Sequence, residues 1–115
     1  MALDIMQSAE IIEAMENWIE KNRPEEKIRP ELDIGYRIEG QSVYIFEIRP
    51  RYDNPVIYYE TPIAKTTYIH TKKGWKIFWM PGNLKWLGYK PKMLVKTIQD
   101  YLSIVEEDKH GCFWG

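Results

Sequence analysis

Leu32-Asp33-Ile34-Gly35-Tyr36-Arg37-Ile38-Glu39-Gly40-Gln41-Ser42-Val43-Tyr44-Ile45-Phe46-Glu47-Ile48-Arg49 is the stretch on which the fold turns. Apolar and aromatic residues recur at alternate positions on both sides of Gly40-Gln41, the pattern of two strands joined by a two-residue turn. With that turn, Glu39 faces Ser42, and the pairing runs back to Asp33 opposite Ile48. One face then carries Leu32, Ile34, Tyr36, Ile38, Val43, Ile45, Glu47 and Arg49. The other carries Asp33, Gly35, Arg37, Glu39, Ser42, Tyr44, Phe46 and Ile48. The first face is the better core candidate. The second is apolar on one strand only, as expected where that strand has a further neighbour in a sheet.

Upstream, residues 4–22 predict an amphipathic helix. Asp4 can cap it, and Ile5, Ala9, Ile12, Met15 and Ile19 recur at helical spacing, with Ile11 and Trp18 widening the stripe. Asn22-Arg23-Pro24 ends it, because the residue before proline is driven out of the helical region. Residues 23–31, rich in proline and charge, read as an exposed connector. Downstream, Arg51-Tyr52-Asp53-Asn54 is a loop by composition, and Val56-Ile57-Tyr58-Tyr59 is a short extended piece. Ala64 to Thr71 and Trp75 to Met80 predict a second hairpin turning at Lys73-Gly74. Tyr68, His70, Lys72, Trp75, Ile77 and Trp79 then share one face, and Lys65, Thr67, Ile69, Lys76, Phe78 and Met80 the other. Leu84 to Lys90 reads as an aromatic loop. Pro91 suits the first position of a last helix, whose stripe is Leu94, Ile98, Leu102 and Val105 to about Glu107. An apolar tail, Cys112-Phe113-Trp114-Gly115, follows. The expected architecture is α+β: an N-terminal helix, an antiparallel sheet of about four strands in two hairpins, and a C-terminal helix, in a single domain spanning 1–115.

Net charge is −1 over 115 residues, but its distribution is uneven. Residues 1–60 hold 13 acids against 7 Lys and Arg, residues 61–99 hold 8 Lys and no acid, and residues 100–115 hold 4 acids and one Lys. Such asymmetry suits an anionic partner; it equally suits a basic block neutralised by the acidic segments packing beside it. One cysteine, Cys112, excludes an internal disulfide. No apolar run approaches a membrane span and no secretory signal opens the chain, so a cytoplasmic protein with no membrane partner is expected.

Little in the chain suggests chemistry. There is no Gly-rich phosphate loop, no zinc spacing and no cofactor motif, so no catalytic residue, metal or cofactor is assigned. Asp33 with Glu47-Ile48-Arg49 resembles the acid and acid-x-lysine arrangement of metal-dependent nucleases, but an arginine cannot serve as base, and the expected register puts Asp33 and Glu47 on opposite faces. A small hydrolase or nuclease-like enzyme using Glu47, Arg49 and His70 is the weaker alternative. The acid-free block is more informative. It interleaves Lys72, Lys73, Lys76, Lys85, Lys90 and Lys92 with Tyr68, Trp75, Phe78, Trp79, Trp86 and Tyr89. Lysines neutralise phosphates and aromatic rings stack on unpaired bases, so the candidate nucleic-acid-binding set from this block is Lys65, His70, Lys72, Lys73, Trp75, Lys76, Trp79, Lys85, Trp86 and Tyr89. Trp75 and Trp79 at alternate strand positions also fit a core. Arg49-Pro50-Arg51 could grip a phosphate, or pair with Glu47, Asp53 or Glu60. The expected function is a small binding module that takes nucleic acid through the Lys/aromatic face at 65–92. The alternative is a protein-interaction or homo-oligomerisation domain, for instance a homodimer.

Several segments together resemble a known family. Ile28-Arg29-Pro30-Glu31-Leu32-Asp33-Ile34-Gly35-Tyr36-Arg37, Phe46-Glu47-Ile48-Arg49-Pro50-Arg51, Gly74-Trp75-Lys76-Ile77-Phe78-Trp79, Leu84-Lys85-Trp86-Leu87-Gly88-Tyr89 and Gly111-Cys112-Phe113-Trp114-Gly115 are similar to the bacterial family called domain of unknown function 3024. The resemblance runs along most of the chain and implies a bacterial cytoplasmic protein, with no activity attached. The chain departs from that family's pattern at Met80-Pro81-Gly82-Asn83, where a charged Arg and Asp are expected.

Overall fold

A computed structural model describes residues 3–114; Met1, Ala2 and Gly115, the last being the end of the apolar tail, lie outside the described residues. The elements are α1 (Ile5–Asn22), β1 (Asp33–Glu39), β2 (Ser42–Pro50), β3 (Tyr58–Ile69), β4 (Gly74–Trp79), β5 (Leu87–Gly88), β6 (Leu94–Val95) and α2 (Ile98–Glu107). All strands join one antiparallel sheet ordered β1-β2-β3-β4-β5, with β6 pairing β4 beside β5. The α+β class holds, with six strands where four were expected.

The first hairpin has the expected register: Glu39 pairs with Ser42 and Asp33 with Ile48. Gly40 supplies the positive φ of 59° that the turn needs. Ile34, Val43 and Ile45 of the expected core face are buried. Gly35 is needed for a different reason. It sits opposite Phe46, and a Cβ there would come within 2.8 Å of the Phe46 ring.

β3 is one strand of 12 residues where the sequence suggested two pieces. Its register with β2 shifts between Ile45 and Phe46, whose partners are Ala64 and Pro62, which leaves Ile63 as an extra residue. The bulge puts Ile63 and Ala64 both in the core and absorbs Pro62, which cannot donate to a ladder.

The second hairpin turns through a 3-10 turn at His70–Lys72, closed by Lys73 in the left-handed region, and not at Lys73-Gly74. Tyr68 pairs with Trp75 and Ile69 with Gly74. The slip relative to the expected pairing is an even number of residues. The faces therefore keep their membership, while His70 and Lys72 leave the sheet.

Helix α1 begins as predicted, with Asp4 Oδ1 accepting from the Gln7 N–H at 2.7 Å. Its buried stripe is Ile11, Met15, Trp18 and Ile19. Burial begins at Ile11, so Ile5 in the first turn stays exposed, and Ile12, off the Ile11–Met15–Trp18–Ile19 stripe, stays exposed as well. Helix α2 starts at Ile98, seven residues after Pro91, which lies instead in a 3-10 turn at Lys90–Lys92. Thr97 Oγ1 caps α2 by accepting from the Asp100 N–H at 3.1 Å. Leu94, expected on that helix, belongs to β6. Its C-terminus is sealed by Asp108, which accepts from the N–H groups of Phe113 (3.0 Å) and Trp114 (2.8 Å). Trp114 also donates its indole N–H to the Val105 carbonyl. The apolar tail is thus folded back, with Phe113 buried.

Both helices pack on one side of the sheet. Ile11, Met15, Trp18, Tyr101, Leu102 and Val105 meet Ile34, Val43, Ile45, Ala64, Trp75 and Ile77 in one core.

Candidate functional site

Strand alternation gives the sheet a second face, on which the described helices place none of their buried residues. Tyr44 and Phe46 stand there from β2, Lys65 from β3, and Lys76 and Phe78 from β4. Trp86, in the loop before β5, leans over it, with its ring 6.0 Å from that of Tyr44. Lys65 sits at the centre. Its Nζ lies 4.9 Å from the Phe78 ring, 5.7 Å from Tyr44 and 5.8 Å from Trp86. Lys76 Nζ approaches Phe78 from the side of the β3–β4 turn at 5.2 Å, and Arg37 lies 5.0 Å from the Phe46 ring. Tyr44, Phe78 and Trp86 are half-buried. These are cationic groups, two ammoniums and a guanidinium, held against π faces on a part of the sheet that the core does not use.

Ion pairing divides the chain in two. Arg23 is bound to Asp33, Arg37 to Glu39 and Glu60, Arg49 to Glu47, and Arg51 to Asp53. Lys21 and Lys27 also have carboxylate partners. Every basic group in these pairs belongs to residues 1–60. Among the described residues, no lysine of the 61–99 block is in an ion pair. The acidic segments therefore form no ion pair with the basic block, although Glu10 of α1 and Asp100 of α2 stand beside Lys73 and Lys96.

The unpaired lysines also gather in a groove of about 800 Å³ at the end of β4. Lys72 and Lys73 from the β3–β4 turn, Lys92 before β6 and Lys96 after it line its walls, with Gly74, Leu94 and the start of α2, where Asp100 is its one acid.

The other candidates are distributed as follows. Trp75 is 4% exposed and Tyr89 3% exposed; both belong to the core, Tyr89 against Phe113 with ring centres 5.0 Å apart. Trp79 packs partly against the same core. His70 is exposed in the turn, edge-on to Tyr68. Lys85 is exposed in the loop before β5. Arg49 donates its Nε–H to Glu47 at 2.9 Å, and Arg51 donates to Asp53 at 2.7 and 3.0 Å, so both guanidinium groups already have carboxylate partners. Of the sequence candidates, Lys65, Lys76 and Trp86 meet on the open face, while Lys72 and Lys73 meet in the groove. Tyr44 and Arg37 were missing from the candidate set, and Phe78, one of the aromatic residues of the acid-free block, was not carried into it; Phe46 stands on the same face but is buried. The signal for them was the mixture of lysine and phenylalanine at Lys65, Lys76 and Phe78, against the wholly apolar Trp75, Ile77 and Trp79 of the alternate face.

The enzyme reading loses its geometry. Asp33 and Glu47 occupy opposite faces. Glu47 pairs with Thr61, whereas His70 follows Ile69 at the other end of β3, roughly 26 Å away at the rise of an extended chain. Among the described residues there is no cluster of three His, Cys, Asp or Glu able to hold a metal. Burial pushes the Asp33 carboxyl up, but hydrogen bonds from Arg23 and from the Ile34 N–H more than offset this and hold it below its ordinary value. Burial, with Asp108 nearby, pushes the Cys112 thiol up, so the lone cysteine is kept in its unreactive protonated form.

No described helix is long and apolar enough to cross a membrane. No curated protein and no solved structure matches the chain. The family resemblance carried by the hairpin, strand and loop segments is borne out along the chain: residues 3–115 match the model of the family described as Domain of unknown function (DUF3024), and the chain belongs to that family.

Proposed function

We propose that the protein binds single-stranded nucleic acid on the open face of its sheet. The observation that carries this reading is Lys65, which has no carboxylate partner and stands among the rings of Tyr44, Phe78 and Trp86. A ring on an uncovered sheet offers a base a stacking surface whatever its identity, and a lysine beside it can leave the ring for a phosphate. The surrounding lysines, none of them in an ion pair, add a positive field. Duplex bases are already stacked on one another, so the rings select for unpaired strands.

Fluorescence anisotropy with labelled single-stranded and duplex DNA and RNA tests this. The expected result is binding at low salt that weakens linearly in log K against log salt and prefers single strands. Phe78→Ala and Trp86→Ala should each cost about 1–3 kcal/mol, the worth of one stacked base. Absent binding at low salt, or binding without a salt slope, ends the proposal.

A second reading is favoured by a different place. Tyr52 and Val56 stand exposed where β2 passes into β3, and residues 58–63 of β3 have no β4 partner. This free edge and its apolar tip suit self-association. Sedimentation showing a strict monomer over a wide concentration range ends that reading.

A further inference from the structure

We propose that the lysine groove at the end of β4 is a phosphodiester site, and that it takes the part of a bound strand that runs off the open face. The inference rests on the open-face reading and adds the strand's path and length.

The path follows from parity. Gly74, Lys76 and Phe78 are alternate residues of β4 and project to the same face, over about 13 Å of strand. Phe78 belongs to the aromatic cluster, Lys76 Nζ lies 5.2 Å from its ring, and Gly74 is a wall of the groove. Leu94, paired with Lys76 across β4 and β6, is another wall. A strand whose bases stack at Phe78 and Trp86 can therefore continue along β4 into the groove without crossing an element of the fold. Gly74 lets β6 close on β4 at this point: a Cβ there would come within 2.9 Å of the Val95 carbonyl oxygen and 3.1 Å of the Leu94 side chain, so Leu94 seats against the strand as the groove's wall.

The chemistry of the groove differs from that of the face. Lys72, Lys73, Lys92 and Lys96 surround it, and none is in an ion pair. No aromatic ring lines it. It can neutralise several phosphates and has nothing on which to stack a base. Face and groove together divide the work of strand recognition, with bases held at one end of β4 and backbone at the other.

The test uses fluorescein-labelled oligothymidylates of four and twelve nucleotides with the full-length chain. The variants are Phe78→Ala and a quadruple variant, Lys72→Gln, Lys73→Gln, Lys92→Gln and Lys96→Gln. The replaced lysines are exposed, so an unchanged melting midpoint is expected and confirms folding. For the twelve-mer, the quadruple variant should lower the slope of log K against log salt by up to about 3, from four phosphates at roughly 0.7 each. For the four-mer, which covers only the open face, affinity should change by less than about threefold, because lysines beyond a Debye length are largely screened. Phe78→Ala should weaken both oligomers and leave the slope for the twelve-mer nearly intact.

An unchanged twelve-mer slope in the quadruple variant, with Phe78→Ala still weakening binding, overturns the groove inference and leaves the open-face reading standing. Loss of twelve-mer binding in the quadruple variant, with Phe78→Ala without effect, overturns the open-face reading and with it the shared path. Inorganic tripolyphosphate then separates the sources of phosphate. If it displaces the twelve-mer and not the four-mer, the groove contacts are made to the strand's own backbone, as proposed. Displacement of both oligomers to the same degree overturns the separation of face from groove.

Discussion

The two faces of β4 are built from the same kinds of residue and do opposite things. On one, Trp75 and Ile77 are buried beneath the helices, with Trp79 at their margin. On the other, Phe78 stands half-buried beside Lys65 and Lys76. Aromatic content does not separate them, since each face carries large rings. The cations do. A lysine costs too much to bury without a partner, so a strand face that alternates lysine with phenylalanine cannot be the side the helices cover. Rings left on that side remain available to a ligand.

Deleting one ring from each face should affect the protein in opposite ways. Trp75→Ala should cost about 3–5 kcal/mol of folding stability, because it opens a cavity in the middle of the core. Phe78→Ala should cost only about 1–2 kcal/mol, the share of a half-buried ring, while removing most of the oligonucleotide affinity. Urea unfolding of the two variants measures the difference. Equal losses of stability would mean that the second face is as much a core as the first.

Gly74 lies where the two regions meet, and a substitution there sharpens the boundary. Gly74→Ala drives a methyl against the Val95 carbonyl and Leu94. The expected cost is about 1–3 kcal/mol, as for other overpacked sites, from distortion of the β4–β6 pairing that forms one wall of the groove. Hydrogen exchange should show it as lost protection at Ile77, whose N–H donates to the Met93 carbonyl. Exchange at Ile45 and Ile48 of β2 should be unchanged.

That same glycine shows what was legible in the sequence. The first hairpin could be read to the residue, since Gly40-Gln41 leaves one register and the core face then follows from alternation. The second could not, because Lys73-Gly74 looks like a turn. Lysine takes the left-handed position there, with φ at 47°, and the glycine is kept for close approach to β6. An even slip preserved the faces, so Trp75 and Ile77 remained together. It carried His70 and Lys72 out of the sheet. The start of α2 was missed for a related reason. Pro91 suits a first helical turn, but Thr97 and Asp100 form the cap that sets it. Moving the helix seven residues along frees Leu94 and Val95 to pair with β4, and that pairing builds the groove. Strands of two residues have no periodicity to read, so half of the candidate site was hidden in the sequence even though each of its lysines was visible.

The open face itself has two halves, and the smallest expected effect separates them. Toward β1, its charges are already matched: Asp33 with Arg23, and Arg37 with Glu39 and Glu60. Toward β4 they are not. Asp33 reports on the matched half. Its folded-state pKa lies below the ordinary 3.8, so the stabilisation it brings is present in full above that value and is lost as pH falls through the lowered folded value. The effect should be small, because the carboxylate is partly solvated and its partner more so. Asp33→Asn should therefore be slightly less stable than the parent at pH 7, with the gap closing below about pH 4. Its oligonucleotide affinity should not fall, since the carboxylate belongs to the half that has no cation to spare. A gap in stability that persists at pH 2 would assign the role of Asp33 to shape and not to charge. A marked change in affinity would show that the strand reaches β1, and the boundary between the matched and unmatched halves of the face would have to move.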